Sequence, residues 1–69
     1  MTTEQINKIF TYNPPKEGQP DKYVALRQQA KVLAELINTL CPESREKSLA
    51  ITSVQQTVMW ANASIAINE

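Results

Sequence analysis

Histidine is absent from this chain of 69 residues, and cysteine, glycine and aromatic residues are scarce. Without histidine the chain lacks the usual acid–base group at neutral pH and the commonest metal ligand. No catalysis, cofactor or metal site is therefore expected. The lone cysteine, Cys41, cannot form an internal disulfide and suits a reducing compartment. Because it stands beside Pro42, we expect it to be a packed turn residue and not a nucleophile.

Net charge is also absent, since seven basic residues offset seven acidic ones. A long nucleic acid normally binds a basic field, so general DNA or RNA binding is disfavoured, whereas a small anionic ligand needs only two or three local cations. No apolar run is long enough for a membrane span, and no basic-then-apolar leader opens the chain. These absences favour a cytoplasmic protein.

The length allows one domain, residues 1–69, near the lower size limit for a self-sufficient core. Scaffolds of this size usually need disulfides, a metal or oligomerisation. Since the first two are disfavoured here, the sequence predicts an oligomer.

Residues 1–10 are predicted to form a short helix. Thr2 and Gln5 have capping-box spacing, and Phe10 is the expected anchor of its apolar face. Because a free helix of ten residues is marginal, it must dock on something. Residues 11–19 contain a proline pair and the only glycine, so they are predicted to be an extended surface segment that includes a turn at 16–18.

Two long helices are predicted next, residues 20–41 and residues 42–67, joined by a tight break. Pro42 ends the first and can open the second, with Ser44 as an alternative cap. A three-four spacing of apolar residues marks the seam between them. The seam residues are Tyr23, Leu26, Ala30, Leu33, Ile37 and Leu40 on the first helix and Ile51, Val54, Val58, Ala61 and Ile65 on the second.

The predicted fold is therefore all-α: a short helix, an extended segment and an antiparallel two-helix hairpin. The second long helix also has a second apolar face, formed by Leu49, Trp60, Ala63 and Ile67. A two-helix hairpin buries only one face of each helix, so this second apolar face needs another chain to cover it. The alternative is that Trp60 merely caps the local core.

Four residues favour ligand binding. Tyr12 offers a ring that can stack on a base, and Asn13 offers a donor and an acceptor. Arg27 and Lys31 lie one turn apart, where two cations can meet phosphate oxygens. On composition alone the simpler interpretation is favoured: a solvated helix face, with Tyr12 packed beneath the prolines.

Three blocks resemble a known family: "IFTYNPP" at 9–15, "CPESREKSLAIT" at 41–52 and "VMWANASIA" at 58–66. The chain is similar to the small phage anti-CBASS sponge proteins of the second described type. The resemblance implies a homohexamer that sequesters cyclic dinucleotides such as 3′,3′-cyclic GMP-AMP in the host bacterial cytoplasm without cleaving them. It also implies separate pockets for cyclic trinucleotides.

The resemblance gives the four candidate residues roles. Tyr12 matches an aromatic that stacks on a base, and Asn13 the polar residue after it. Arg27 falls about where the family has a basic residue, with Lys31 one turn later. One departure concerns Ile67, which stands where relatives are expected to have an arginine; this places trinucleotide binding in doubt. An alternative function is that of a small helical adaptor that binds a host or phage protein through the Trp60 face.

Overall fold

The computed structural model describes residues 1–69 and contains three helices and no strand. Helix α1 spans Thr3–Phe10, α2 spans Gln19–Leu40 and α3 spans Arg45–Asn68. Nearly all contact between elements lies between α2 and α3. These two helices run antiparallel, because the start of α2 meets the end of α3 across the hairpin. The predicted all-α hairpin is confirmed.

Helix α1 begins with the predicted capping box. The Gln5 N–H donates to the Thr2 hydroxyl at 3.1 Å, and the Thr2 N–H donates to the Gln5 side-chain oxygen at 2.8 Å. These two bonds satisfy donors that the first turn of a helix otherwise leaves free. The helix nevertheless has no buried residue, and Phe10 is 82% exposed. Within its own chain, therefore, α1 packs at most weakly against the other helices.

Residues 11–18 have no regular secondary structure and lead into the turn predicted at 16–18. The turn is closed by the Gln19 N–H, which donates to the Lys16 carbonyl oxygen at 3.1 Å. Gly18 has φ 83° and ψ −17°, as the third position of a type II turn requires. A side chain is strained in this left-handed region, so the only glycine stands where the chain needs one.

The seam between α2 and α3 lies close to the predicted one. All five predicted α3 residues are half-buried, but on α2 the prediction was wrong at Leu33 and Leu40, which are exposed. Ala34 is half-buried in addition. Helical geometry explains the difference. Ala34 is four residues after Ala30, so both lie on the face of α2 that packs against α3, whereas Leu33 lies at the edge of that face.

The turn between the long helices differs from the prediction, because α3 begins at Arg45 and not at Pro42. Ser44 is the cap: it is extended, and its hydroxyl accepts from the Lys47 N–H at 3.1 Å. The Ser44 hydroxyl accepts a hydrogen bond from a backbone N–H that the first turn of the helix would otherwise leave free. Proline has no side-chain oxygen that could do this. The predicted packing of Cys41 is also wrong, because its thiol is exposed at the end of α2.

A single chain has no hydrophobic core. No apolar residue is fully buried, and the molecule measures 45 × 30 × 12 Å. Its radius of gyration is 15.3 Å, whereas a compact domain of this length has about 11 Å. Trp60 is 76% exposed, so the alternative that it caps a local core is wrong. No helix has the length and apolar character needed to cross a membrane.

Candidate functional site

Two clefts lie on opposite sides of the seam between α2 and α3. The first, which we call the cationic cleft, has a volume of about 380 Å³. Its floor is apolar, and its rim holds Arg27 and Lys31 from α2 and Gln55 and Met59 from α3. The floor consists of Ala30, Ala34, Ile51, Val54 and Val58. The second cleft is lined by apolar residues and two uncharged polar ones.

Arg27 and Lys31 reach the same rim because they stand four residues apart on one helix face. Arg27 has no ion pair, and the Lys31 amino group lies 4.0 Å from Glu35 with both side chains mostly exposed. An exposed pair at that distance holds its charges only weakly. Both cations are therefore available to an anionic ligand.

Tyr12 and Asn13 do not line the cationic cleft of their own chain. The Tyr12 ring is 81% exposed, so it is not packed beneath Pro14 and Pro15. Asn13 is half-buried, and its side-chain N–H donates to the Thr11 carbonyl oxygen at 2.9 Å. That bond orients the Asn13 amide locally. The structure thus brings the two cations together and leaves the aromatic candidate apart from them.

The far end of the extended segment is fixed to the hairpin through Gln19, which is only 3% exposed. Its side-chain oxygen accepts from the Lys16 N–H at 2.9 Å, and its side-chain N–H donates to the Ile65 carbonyl oxygen at 3.5 Å. Lys16 also donates through its amino group to the Glu69 carbonyl oxygen. The segment therefore leaves the hairpin from a defined position at the end of α3.

Glu69 completes this attachment. Its carboxylate accepts from the Lys22 amino group at 2.6 Å. The hydrogen bond from Lys22 lowers the pKa of the Glu69 carboxyl below its ordinary value of 4.5. An anion at this position thus joins the end of α3 to the first turns of α2.

Gln55 and Met59 were not predicted as site residues, although the sequence contains a signal for them. Ile51, Gln55 and Met59 follow one another at four-residue intervals, which places them on one helix face. Gln19 had no such signal, because its burial depends on the end of α3, about 46 residues away along the chain. Long-range contacts of this kind are set by tertiary packing, and periodicity does not encode them.

The chemistry of the cationic cleft is that of binding. Two free cations over an apolar floor fit a ligand with a flat apolar part and anionic substituents. No group of three or more histidine, cysteine, aspartate and glutamate side chains gathers where a metal ion could be held. Fold and cleft together define a small helical protein with a cationic cleft whose lining suits an anionic ligand.

The comparisons make this class more specific. A model of the family described as Acb2/Tad1, hairpin domain, matches residues 2–66. Since the match spans nearly the whole chain, the chain belongs to this family, the anti-CBASS sponges. The resemblance seen in the three sequence blocks is confirmed. No curated protein and no solved structure matches the chain.

Proposed function

We propose that this protein sequesters cyclic oligonucleotide signals without cleaving them, in the cytoplasm of a host bacterium, and so lets a phage evade CBASS defence. Family membership gives the class of function. The observation that supports it in this chain is the pair of available cations, Arg27 and Lys31, on the rim of an apolar cleft. A sponge works by mass action, so it has to bind the signal more tightly than the host effector does.

The preferred ligand is a cyclic dinucleotide such as 3′,3′-cyclic GMP-AMP. Its phosphates would meet the two cations, and a base would lie between the Arg27 guanidinium and an aromatic ring. Small-molecule pockets measure about 300–1,000 Å³, so a cleft of about 380 Å³ is at the small end of that range. It is a partial site that needs a further wall.

A second chain would supply that wall. Tyr12 is exposed and lies apart from the cleft of its own chain, while a single chain lacks a core. Assembly as a homo-oligomer, a hexamer by analogy with the family, would bring the Tyr12 and Asn13 of one chain to the cationic cleft of another. Assembly would then serve both stability and binding.

A cyclic trinucleotide is a weaker candidate. Ile67, where an arginine is expected in relatives, is half-buried and has no charge to offer a phosphate. We therefore propose that the dinucleotide site is the principal one. A direct comparison of both ligand classes in the same titration tests this preference.

The first experiment is a calorimetric titration of the purified protein with cyclic dinucleotides and trinucleotides. The complex is then heated and the released nucleotide is identified. Tight binding followed by release of the unaltered nucleotide supports a sponge, whereas recovery of a cleaved product contradicts it. If no cyclic nucleotide produces heat, the adaptor function becomes the better hypothesis, and the exposed Trp60 face is where a protein partner should be sought.

Replacement of the aromatic ring is the sharpest mutational test. Base–aromatic stacking is worth about 1–3 kcal/mol per base, so Tyr12→Ala should weaken dinucleotide binding by about one to two orders of magnitude. Tyr12→Phe keeps the ring and should bind nearly as well as the wild type. Light scattering should give the same mass for all three proteins, because the exposed ring supports no packing in its own chain. If Tyr12→Ala dissociates the oligomer, the residue is structural.

A further inference from the structure

The extended segment that carries Tyr12 is attached to the hairpin at one place. Every hydrogen bond that joins residues 11–18 to α2 or to the end of α3 involves Lys16. The Tyr12 ring is exposed, and helix α1 on its other side packs at most weakly against the hairpin. Within the chain, the position of Tyr12 relative to the hairpin is therefore set from the Lys16 side.

This attachment depends on the side chain of Gln19. The residue is almost fully buried, and both ends of its amide are used. The oxygen accepts from the Lys16 N–H at 2.9 Å, and the N–H group lies 3.5 Å from both the Ile65 carbonyl oxygen and the Glu69 carboxylate, to which it donates. Burial of an amide is costly unless its hydrogen bonds are made. One amide thus joins the extended segment to the last turn of α3.

Tyr12 is close enough along the chain to be held by this attachment. It stands four residues before Lys16, so the two Cα atoms are at most about 14 Å apart. Pro14 and Pro15 lie between them, and the fixed φ of proline removes much of the freedom that such a stretch would otherwise have. A stiff connection of this length limits where Tyr12 can lie once Lys16 is fixed.

We propose that Gln19 is a positioning residue for the ligand site: it raises the affinity for a cyclic dinucleotide by holding the segment that carries Tyr12. This inference rests on the proposed function. Gln19 lines neither cleft, so it acts through the segment and not as a cleft residue. With its hydrogen bonds made, the segment is ordered before the ligand arrives. Without them the segment has to be ordered at binding, and this entropy cost weakens the affinity.

Gln19→Met is the direct test, because methionine has a similar length and volume and lacks the amide. A lost hydrogen bond changes an equilibrium by about 2- to 10-fold, so a calorimetric titration with 3′,3′-cyclic GMP-AMP should show roughly 10-fold weaker binding. In a Tyr12→Ala background the same change should have a much smaller effect, because the ring that the segment places is gone. Gln28→Met is the control, since Gln28 is exposed on the same helix and lines neither cleft.

The outcomes separate this inference from the proposed function. If the wild type and Gln19→Met bind the dinucleotide equally, the inference is overturned and the proposed function stands. An equal loss in both backgrounds also overturns it, because Gln19 would then act on the fold and not through Tyr12. If the wild type binds no cyclic dinucleotide, the proposed function fails, and the role of Gln19 in binding fails with it.

Limited digestion with trypsin, without nucleotide, tests the attachment by itself. Cleavage after Lys16 requires the turn to open, so Gln19→Met should be cleaved there about 2- to 10-fold faster than the wild type. Cleavage after Arg27, in the middle of α2, is the internal control and should keep its rate. An unchanged rate after Lys16 would overturn the inference. Faster cleavage at both sites would overturn it too, because it would show a general loss of stability.

Discussion

Lys47 shows, at the scale of one residue, how a polar group can stabilise a chain that lacks a core. It is 7% exposed, and its amino group donates to the Asn38 carbonyl oxygen at 3.0 Å and to the Glu43 carboxylate at 2.6 Å. The first bond reaches back to α2 and the second spans the start of α3. One buried cation thus links the end of α2 to the start of α3 at the turn of the hairpin.

Lys47→Met should lower the free energy of unfolding by about 1–3 kcal/mol, because it keeps the buried stem and removes the hydrogen bonds of a charged group. Urea denaturation measures the change, at one fixed protein concentration because the proposed assembly would contribute to stability. Lys31→Met is the control, because it breaks an exposed pair at 4.0 Å and should change stability by less than about 1 kcal/mol. Equal effects would mean that Lys47 has no special role.

At the scale of the elements, the open end of the hairpin is held by charge. Glu69 accepts from Lys22, and the buried Gln19 links the end of α3 to the turn before α2. The pKa of Glu69 is lowered in the folded chain, so its ionised form is favoured by folding. A group with a lowered pKa stabilises the fold above its unfolded pKa and loses that effect as the pH falls through its folded pKa.

Glu69→Gln should therefore lower the melting temperature at pH 7 and have progressively less effect as the pH falls below about 4.5, the ordinary pKa of this carboxyl. The two proteins should melt alike once the carboxylate is fully protonated. Calorimetric melting curves over this pH range measure the difference. A difference that is constant with pH would show that Glu69 acts through packing and not through its charge.

The sequence predicted the helices better than the turn that connects them or the contacts between them. Prolines, caps and periodicity placed three helices within a few residues of their observed bounds, because these signals are local. Where two local signals competed, at Pro42 and Ser44, periodicity gave no means of choosing between them. The burial of Gln19 and the exposure of Leu33 depend on how α2 packs against α3. Tyr12 of one chain and Arg27 of another were predicted to form one site, and this stays a prediction, because a single chain holds only Arg27 at its cleft.

At the scale of the whole molecule, a single chain leaves its large apolar side chains exposed or only half-buried. A plate 12 Å thick exposes apolar surface on every side, including Leu49 and Trp60 on the outer face of α3. Surface of that extent is rare on monomers and indicates an interface. The outer face of α3 is separate from both clefts, so a single chain exposes more than one apolar surface. A closed assembly with several interfaces meets this requirement, whereas a simple dimer leaves part of the surface exposed.

Trp60 would report directly on the proposed assembly, because it is the only tryptophan. If its face is an interface, the emission maximum should lie at short wavelength in the concentrated protein, as expected for a buried indole. On dilution it should move to longer wavelength over the same range in which light scattering shows a loss of mass, because dissociation exposes the ring. Trp60→Ala should shift that range to higher protein concentration. A long-wavelength maximum in the intact oligomer would instead leave the Trp60 face free, and a protein partner would then be the better explanation for it.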